Sequence, residues 1–117
     1  MKRLYSATFN SLRGLIDGVM TEAAVREEVV LLVIAVPAGF VLAPSAAWYV
    51  AMVGAVLLVL AVEFLNTAVE KLSDHVTPEH HYVIGRIKDF GSAAVFCALS
   101  FTGLVWLTAI ALRVGLL

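Results

Sequence analysis

No charged residue occurs from Val29 to Val62, and a second uncharged run extends from Phe90 to Leu112. A helix crosses the hydrocarbon core of a bilayer in about 20 residues. The first run is therefore too long for one crossing and reads as two, joined at Ala43-Pro44-Ser45. The pattern predicts an all-α integral membrane protein with spans over about 26–43, 46–70 and 90–113. Pro37, which lacks an N–H, is expected to bend the first span. Trp48 and Tyr49 follow the turn at a plausible headgroup level. His75 to His81 reads as a polar linker, and Thr77-Pro78-Glu79 as the start of the last helix. There threonine would cap, proline would fit the first turn and glutamate would sit near the positive dipole end.

Ahead of the spans the period changes character. Leu12, Leu15, Ile16, Val19 and Ala23 form one helical stripe, and Arg3, Ser6, Asn10, Arg13 and Asp17 form the opposite one. This predicts an amphipathic helix over about 4–23 lying along the membrane surface. Glu22 to Glu28 reads as a short charged helical segment with Glu22 and Arg26 as i, i+4 partners. Near the start of the last span, Gly85, Gly91, Ser92, Ala93 and Ala94 are small enough for helices to approach closely.

Composition agrees with the pattern. Of 117 residues 62% are hydrophobic, and the mean hydropathy of +0.97 argues against disorder and against an ordinary soluble domain. The net charge of −1 leaves no basic footprint for nucleic acid. The single Cys97 cannot form an intrachain disulfide. The N-terminus has no apolar stretch before a small-residue cleavage site, so no cleavable signal is expected. The chain reads as one domain. Lys2, Arg3, Arg13, Arg26, Lys71, Arg86 and Lys88 fall on one side of the three-span arrangement and only Arg113 on the other. The positive-inside rule then puts the N-terminus and the 71–89 linker in the cytoplasm.

The chemistry is concentrated where the second span leaves its apolar run. Glu63, Asn66, Glu70 and Asp74 are spaced i, i+3, i+7, i+11 and share one helical stripe at about 100° per residue. An ionisable group at membrane depth costs roughly 2.5–3.5 kcal/mol on insertion scales, which marks it as a functional position. Glu22 and Glu28 at the base of the first span, and Arg86, Lys88 and Asp89 at the base of the third, converge on the same boundary. Carboxylates beside cations suit a hard metal ion on phosphates. They also suit an ion or proton pathway, or a polar network that only holds helices together, and the spacing leaves these open. Neither a Walker motif nor a protein-kinase signature occurs. His80 and His81 lack a third close ligand and read better as polar loop residues than as a zinc site.

Three stretches together resemble the prokaryotic diacylglycerol kinase family: Glu22-Ala-Ala-Val-Arg-Glu-Glu28, Glu63-Phe-Leu-Asn-Thr-Ala-Val-Glu70 and Gly85-Arg-Ile-Lys-Asp-Phe-Gly-Ser-Ala-Ala-Val95. The resemblance covers nearly the whole chain. It implies an inner-membrane lipid kinase that phosphorylates diacylglycerol to phosphatidic acid with ATP and Mg2+, working as a homotrimer with sites shared between neighbouring chains. Undecaprenol kinases are related, and undecaprenol is the alternative lipid. A small ion- or proton-conducting oligomer is the alternative of another class.

By position, the resemblance implies Glu63 as general base with Asn66 beside it, and Glu22 and Glu70 as magnesium ligands. It implies ATP contacts from Arg3, Asn10, Glu22, Glu70, Glu79, His80, His81, Lys88 and Asp89. Lipid contacts would come from Arg3, Ser11, Glu28, Glu63, Ser92 and Trp106, with Asp74 and Arg86 in support. Family members often carry Tyr at the position of Asn10.

Overall fold

The computed structural model describes residues 1–77 and 81–117. Within them the chain is all-helical: α1 (Lys2–Thr21), α2 (Ala23–Leu42), α3 (Ala46–Val76) and α4 (Tyr82–Arg113). Helix α3 packs against both α2 and α4, which also touch each other, and the last turns of α1 reach α2. Helices occupy the segments predicted for the amphipathic helix and the later spans, with the turn near Pro44, but α1 ends at Thr21, so Ala23 of the predicted stripe belongs to α2. Helix α2 continues through Pro37 to Leu42.

The break between α1 and α2 is a single extended residue, Glu22 (φ −117°, ψ 117°). Its N–H donates to Gly18 O at 2.9 Å, ending α1, and its carbonyl accepts from Arg26 N–H at 3.1 Å, starting α2. The expected side-chain pair of Glu22 with Arg26 is not formed. That pairing needs both residues inside one helix, whereas Glu22 stands outside. The Arg26 guanidinium instead reaches back and donates to Val19 O (3.1 Å) and Met20 O (3.4 Å). These belong to the last carbonyls of α1, the partly negative end of its dipole. Arg26→Ala should cost the junction about 0.3–1 kcal/mol. Hydrogen exchange at the end of α1 should accordingly quicken roughly two- to fivefold; an unchanged rate would show that the clasp contributes nothing.

Gly18 is the one buried residue of α1. A β-carbon there would lie 2.5 Å from Phe64 Cε1 and 3.3 Å from Val25 Cγ1. The absent side chain is what lets the end of α1 settle on α3. Further back the α1 apolar stripe has no partner among the described residues: Leu12 is 50% exposed and Ile16 66%.

At the opposite end, Ser45 caps α3 by accepting from Trp48 N–H at 3.3 Å. The Tyr49 hydroxyl donates to Val36 O at 3.0 Å, tying α3 to the turn of α2 that precedes Pro37. Deeper in, Met52, Val25 and Val59 are the largest fully buried side chains. Two polar side chains of α4 stitch it to α3. Trp106 Nε1–H donates to Met52 O at 2.9 Å, and Thr102 Oγ1 lies 3.2 Å from Ala55 O and 2.9 Å from Ala98 O. Between helices in lipid, such bonds and close packing replace the hydrophobic drive available in water.

The boundary of the last helix differs from expectation. Helix α3 runs on to Val76, and Thr77 caps its C-terminus, donating from its N–H to Ser73 O at 3.0 Å. Helix α4 starts at Tyr82, with His81 as cap accepting from Val83 N–H at 3.2 Å. Thr77 thus closes one helix instead of opening the next, and the imidazole does the capping. Pro78, Glu79 and His80 lie outside the described residues.

Among the described residues, α3 and α4 are the helices long and apolar enough to cross a membrane. Only 6% of the most apolar stretch of α4 is buried within the chain, against 33% for α3. Helix α2 fails that test because Arg26, Glu27 and Glu28 occupy its beginning. The predicted span over 26–43 therefore starts among charges, and its uncharged part is short.

Candidate active site

Helix α3 carries the predicted stripe unbroken, and burial falls along it toward the linker. Glu63 and Asn66 are buried at 7% and 8% exposure, Glu70 is half-buried and Asp74 is exposed. The period of α3 therefore turns one row of polar groups inward at its apolar end and outward at its polar end.

Glu63 lies in an acidic field. It is removed from water by burial, and the carboxylates of Glu28, Glu70, Glu27 and Glu22 lie around it. Glu28 is itself buried, and its Oε2 has no hydrogen-bond partner among the described residues. It stands at one end of an apolar groove of about 250 Å³ between α2, α3 and α4, which Val59, Leu99, Thr102 and Trp106 also line. Two of the residues assigned to the lipid by resemblance, Glu28 and Trp106, thus share one groove. Ser92 is exposed on α4 and does not line it.

Asn66 donates from Nδ2 to Glu70 Oε1 at 3.3 Å. Its Oδ1 is buried without a partner among the described residues and rests against Gly91 of α4, so closely that a β-carbon there would overlap it. An unpaired buried carbonyl costs about 1–3 kcal/mol. The chain tolerates that cost at this place, beside Glu63 and Glu70.

Two lysines of the boundary are engaged with acids. Lys71 Nζ lies 2.9 Å from Glu22 Oε1, and Lys88 Nζ lies 2.6 Å from Asp74 Oδ1. The first pair draws Glu22, from the α1–α2 break, to the residue next to Glu70. Arg86 sits over the rings of Tyr82 and Phe90, at 5.9 and 5.8 Å. Asp89 is exposed on α4.

Arg3, Asn10 and Ser11 stand exposed on α1. Asn10 accepts from Arg13, and Ser11 donates to Ala7 O at 2.9 Å, so both are engaged within their own helix. Within one chain they do not join the α3 cluster. Glu79 and His80 lie outside the described residues, and His81 serves as the α4 cap.

Among the described residues no three His, Cys, Asp or Glu side chains gather closely enough to hold a metal by themselves. Glu22 and Glu70 are two carboxylates that both lie near Lys71. Magnesium is commonly held by one or two carboxylates, with substrate phosphates and water completing the shell.

Sequence reasoning missed two participants. Lys71 gave no signal beyond its charge, because its partner lies on another helix. Gly91 was legible as a small residue but not as the seat of Asn66.

A family model described as Prokaryotic diacylglycerol kinase matches residues 9–110. A protein of Haemophilus influenzae named Diacylglycerol kinase is 42% identical over 106 residues, covering 91% of this chain and 90% of its own. Proteins of the same name from Pseudomonas aeruginosa and Escherichia coli K12 are 40% and 38% identical, covering 92% and 89% of this chain and 88% and 85% of theirs. Acidic stripe, apolar groove and sequence similarity lead to one conclusion: the chain belongs to the prokaryotic diacylglycerol kinase family and is a lipid kinase.

Proposed function

We propose that the chain transfers the γ-phosphoryl group of ATP to the hydroxyl of diacylglycerol, giving phosphatidic acid and ADP at the cytoplasmic face of the inner membrane. The observation that carries this reading is the buried pair Glu63 and Asn66 on α3, with Glu63 near Glu28, a buried carboxylate that lines the apolar groove. A bilayer-borne alcohol entering the groove meets Glu28, close to Glu63, and a water-borne nucleotide can reach Glu70 from the exposed end.

Glu63 accepts the proton of the lipid hydroxyl as its oxygen attacks the γ-phosphorus. The bond from that phosphorus to the bridging oxygen breaks, and ADP leaves with the electron pair. Asn66 holds Glu70 through its amide. Lys88, released from Asp74, neutralises phosphate charge. Glu22 and Glu70 would hold the magnesium, which supplies charge neutralisation on the phosphates when bound. Much of the acceleration in phosphoryl transfer comes from such placement and neutralisation.

Helices α2, α3 and α4 cross the membrane in this reading, and α1 lies on its inner surface with the unpartnered apolar stripe in the headgroup layer. A homotrimer covers the exposed face of α4 and brings Arg3, Asn10 and Ser11 of one chain toward the α3 cluster of another. Diacylglycerol is preferred to undecaprenol because the relatives above are all named for it.

The test is a competition in mixed micelles, offering both lipids with labelled ATP, with and without magnesium. Label should enter phosphatidic acid in a magnesium-dependent way. Preferential labelling of undecaprenol would reassign the lipid. Absence of lipid labelling together with ion flux in proteoliposomes would replace the kinase reading altogether.

A further inference from the structure

Asn66 is oriented from two sides. On α3, its Nδ2 donates to Glu70 Oε1 at 3.3 Å. On α4, the bare α-carbon of Gly91 receives its Oδ1, which is buried and has no hydrogen-bond donor among the described residues. Turning the amide over would bring its carbonyl oxygen against the Glu70 carboxylate, two acceptors facing each other. Any side chain at 91 would occupy the space that the oxygen now fills. The amide thus has one seat, and Gly91 provides half of it. Gly85 and Gly103, also on α4, have nothing within 4 Å of where a β-carbon would stand. The need for glycine at 91 is therefore particular to Asn66.

We propose that Gly91 is a positioning residue: it seats the Asn66 amide, and through the Asn66–Glu70 hydrogen bond it sets the carboxylate that faces the nucleotide. The path runs from α4 backbone to α3 side chain to ligand, so the packing of α4 on α3 is linked to the geometry of phosphate binding. This inference rests on the reading of Glu70 as a magnesium ligand. Residues that orient a metal ligand typically cost about 10–100-fold in metal affinity or activity when changed.

The experiment compares Gly91→Ala, Asn66→Ala and the double variant of the full chain in mixed micelles. It reads the half-saturating magnesium concentration, the KM values for ATP and lipid, and thermal unfolding. Each single variant should raise the magnesium requirement by roughly 10-fold or more with the KM for lipid unchanged. The double variant should be no worse than Asn66→Ala alone. Wild-type magnesium dependence in Gly91→Ala overturns the proposal, as does a double variant whose shift is the product of the two single shifts. If Gly91→Ala does not fold, wild-type magnesium dependence in Asn66→Ala overturns it equally. Glu70→Gln separates the two readings. Should that variant keep the normal magnesium dependence, the metal assignment fails, and the seat is then tested by the Asn66 side-chain amide resonances. Gly91→Ala must displace those resonances; if they stay in place, the seat itself is disproved.

Discussion

Glu63→Gln is expected to lower lipid phosphorylation by roughly 10²–10⁴-fold, the usual contribution of a general base. Stability should hold or rise. Glutamine keeps the shape of the side chain, and Glu63 is 7% exposed in a field of four other carboxylates. Burying a charge is costly unless it is paired, so an uncharged isostere removes a liability from the fold. The two effects therefore run in opposite directions, which a packing residue would not do. Turnover in mixed micelles and thermal unfolding of the same preparation measure both. Full turnover would take Glu63 out of the proton transfer. Lost turnover with a collapse in stability would make it a structural residue instead.

The fold was legible in the chain wherever a period or a break in hydrophobicity carried it. Uncharged runs split at Ala43-Pro44-Ser45 suffice for α2, α3 and α4, and the i, i+3, i+7, i+11 stripe suffices to put Glu63 and Asn66 on one inward face. What failed was local chemistry at helix ends. Glu22 and Arg26 have the spacing of a helical pair, yet the break falls on Glu22 itself. Its carboxylate goes to Lys71 and the guanidinium to the carbonyls ending α1. Thr77-Pro78 reads as a helix start, whereas Thr77 ends α3. Contacts between helices carry no sequence spacing at all. For that reason the seat of Asn66 on Gly91 and the bond of Trp106 to Met52 O emerge only from the packing of α4 on α3.

Lys88→Ala is the second large effect, and it discriminates by contrast. Lys88 is bound to Asp74 at 2.6 Å, with the two side chains 38% and 58% exposed. Exposed pairs of this kind contribute about 0–1 kcal/mol, so removing either partner should hardly change thermal unfolding. Activity should separate the partners. Removing a group that stabilises charge in the transition state typically costs about 10²–10³-fold in turnover. Lys88→Ala should show a loss of that order together with a raised KM for ATP. Asp74→Asn should keep turnover near the wild-type value, because the lysine it releases is the one that must reach the phosphates. Equal losses in both variants would mean that the ion pair itself matters, as a clasp between the polar ends of α3 and α4. A large loss confined to Lys88→Ala assigns the lysine to the nucleotide and makes Asp74 its resting partner.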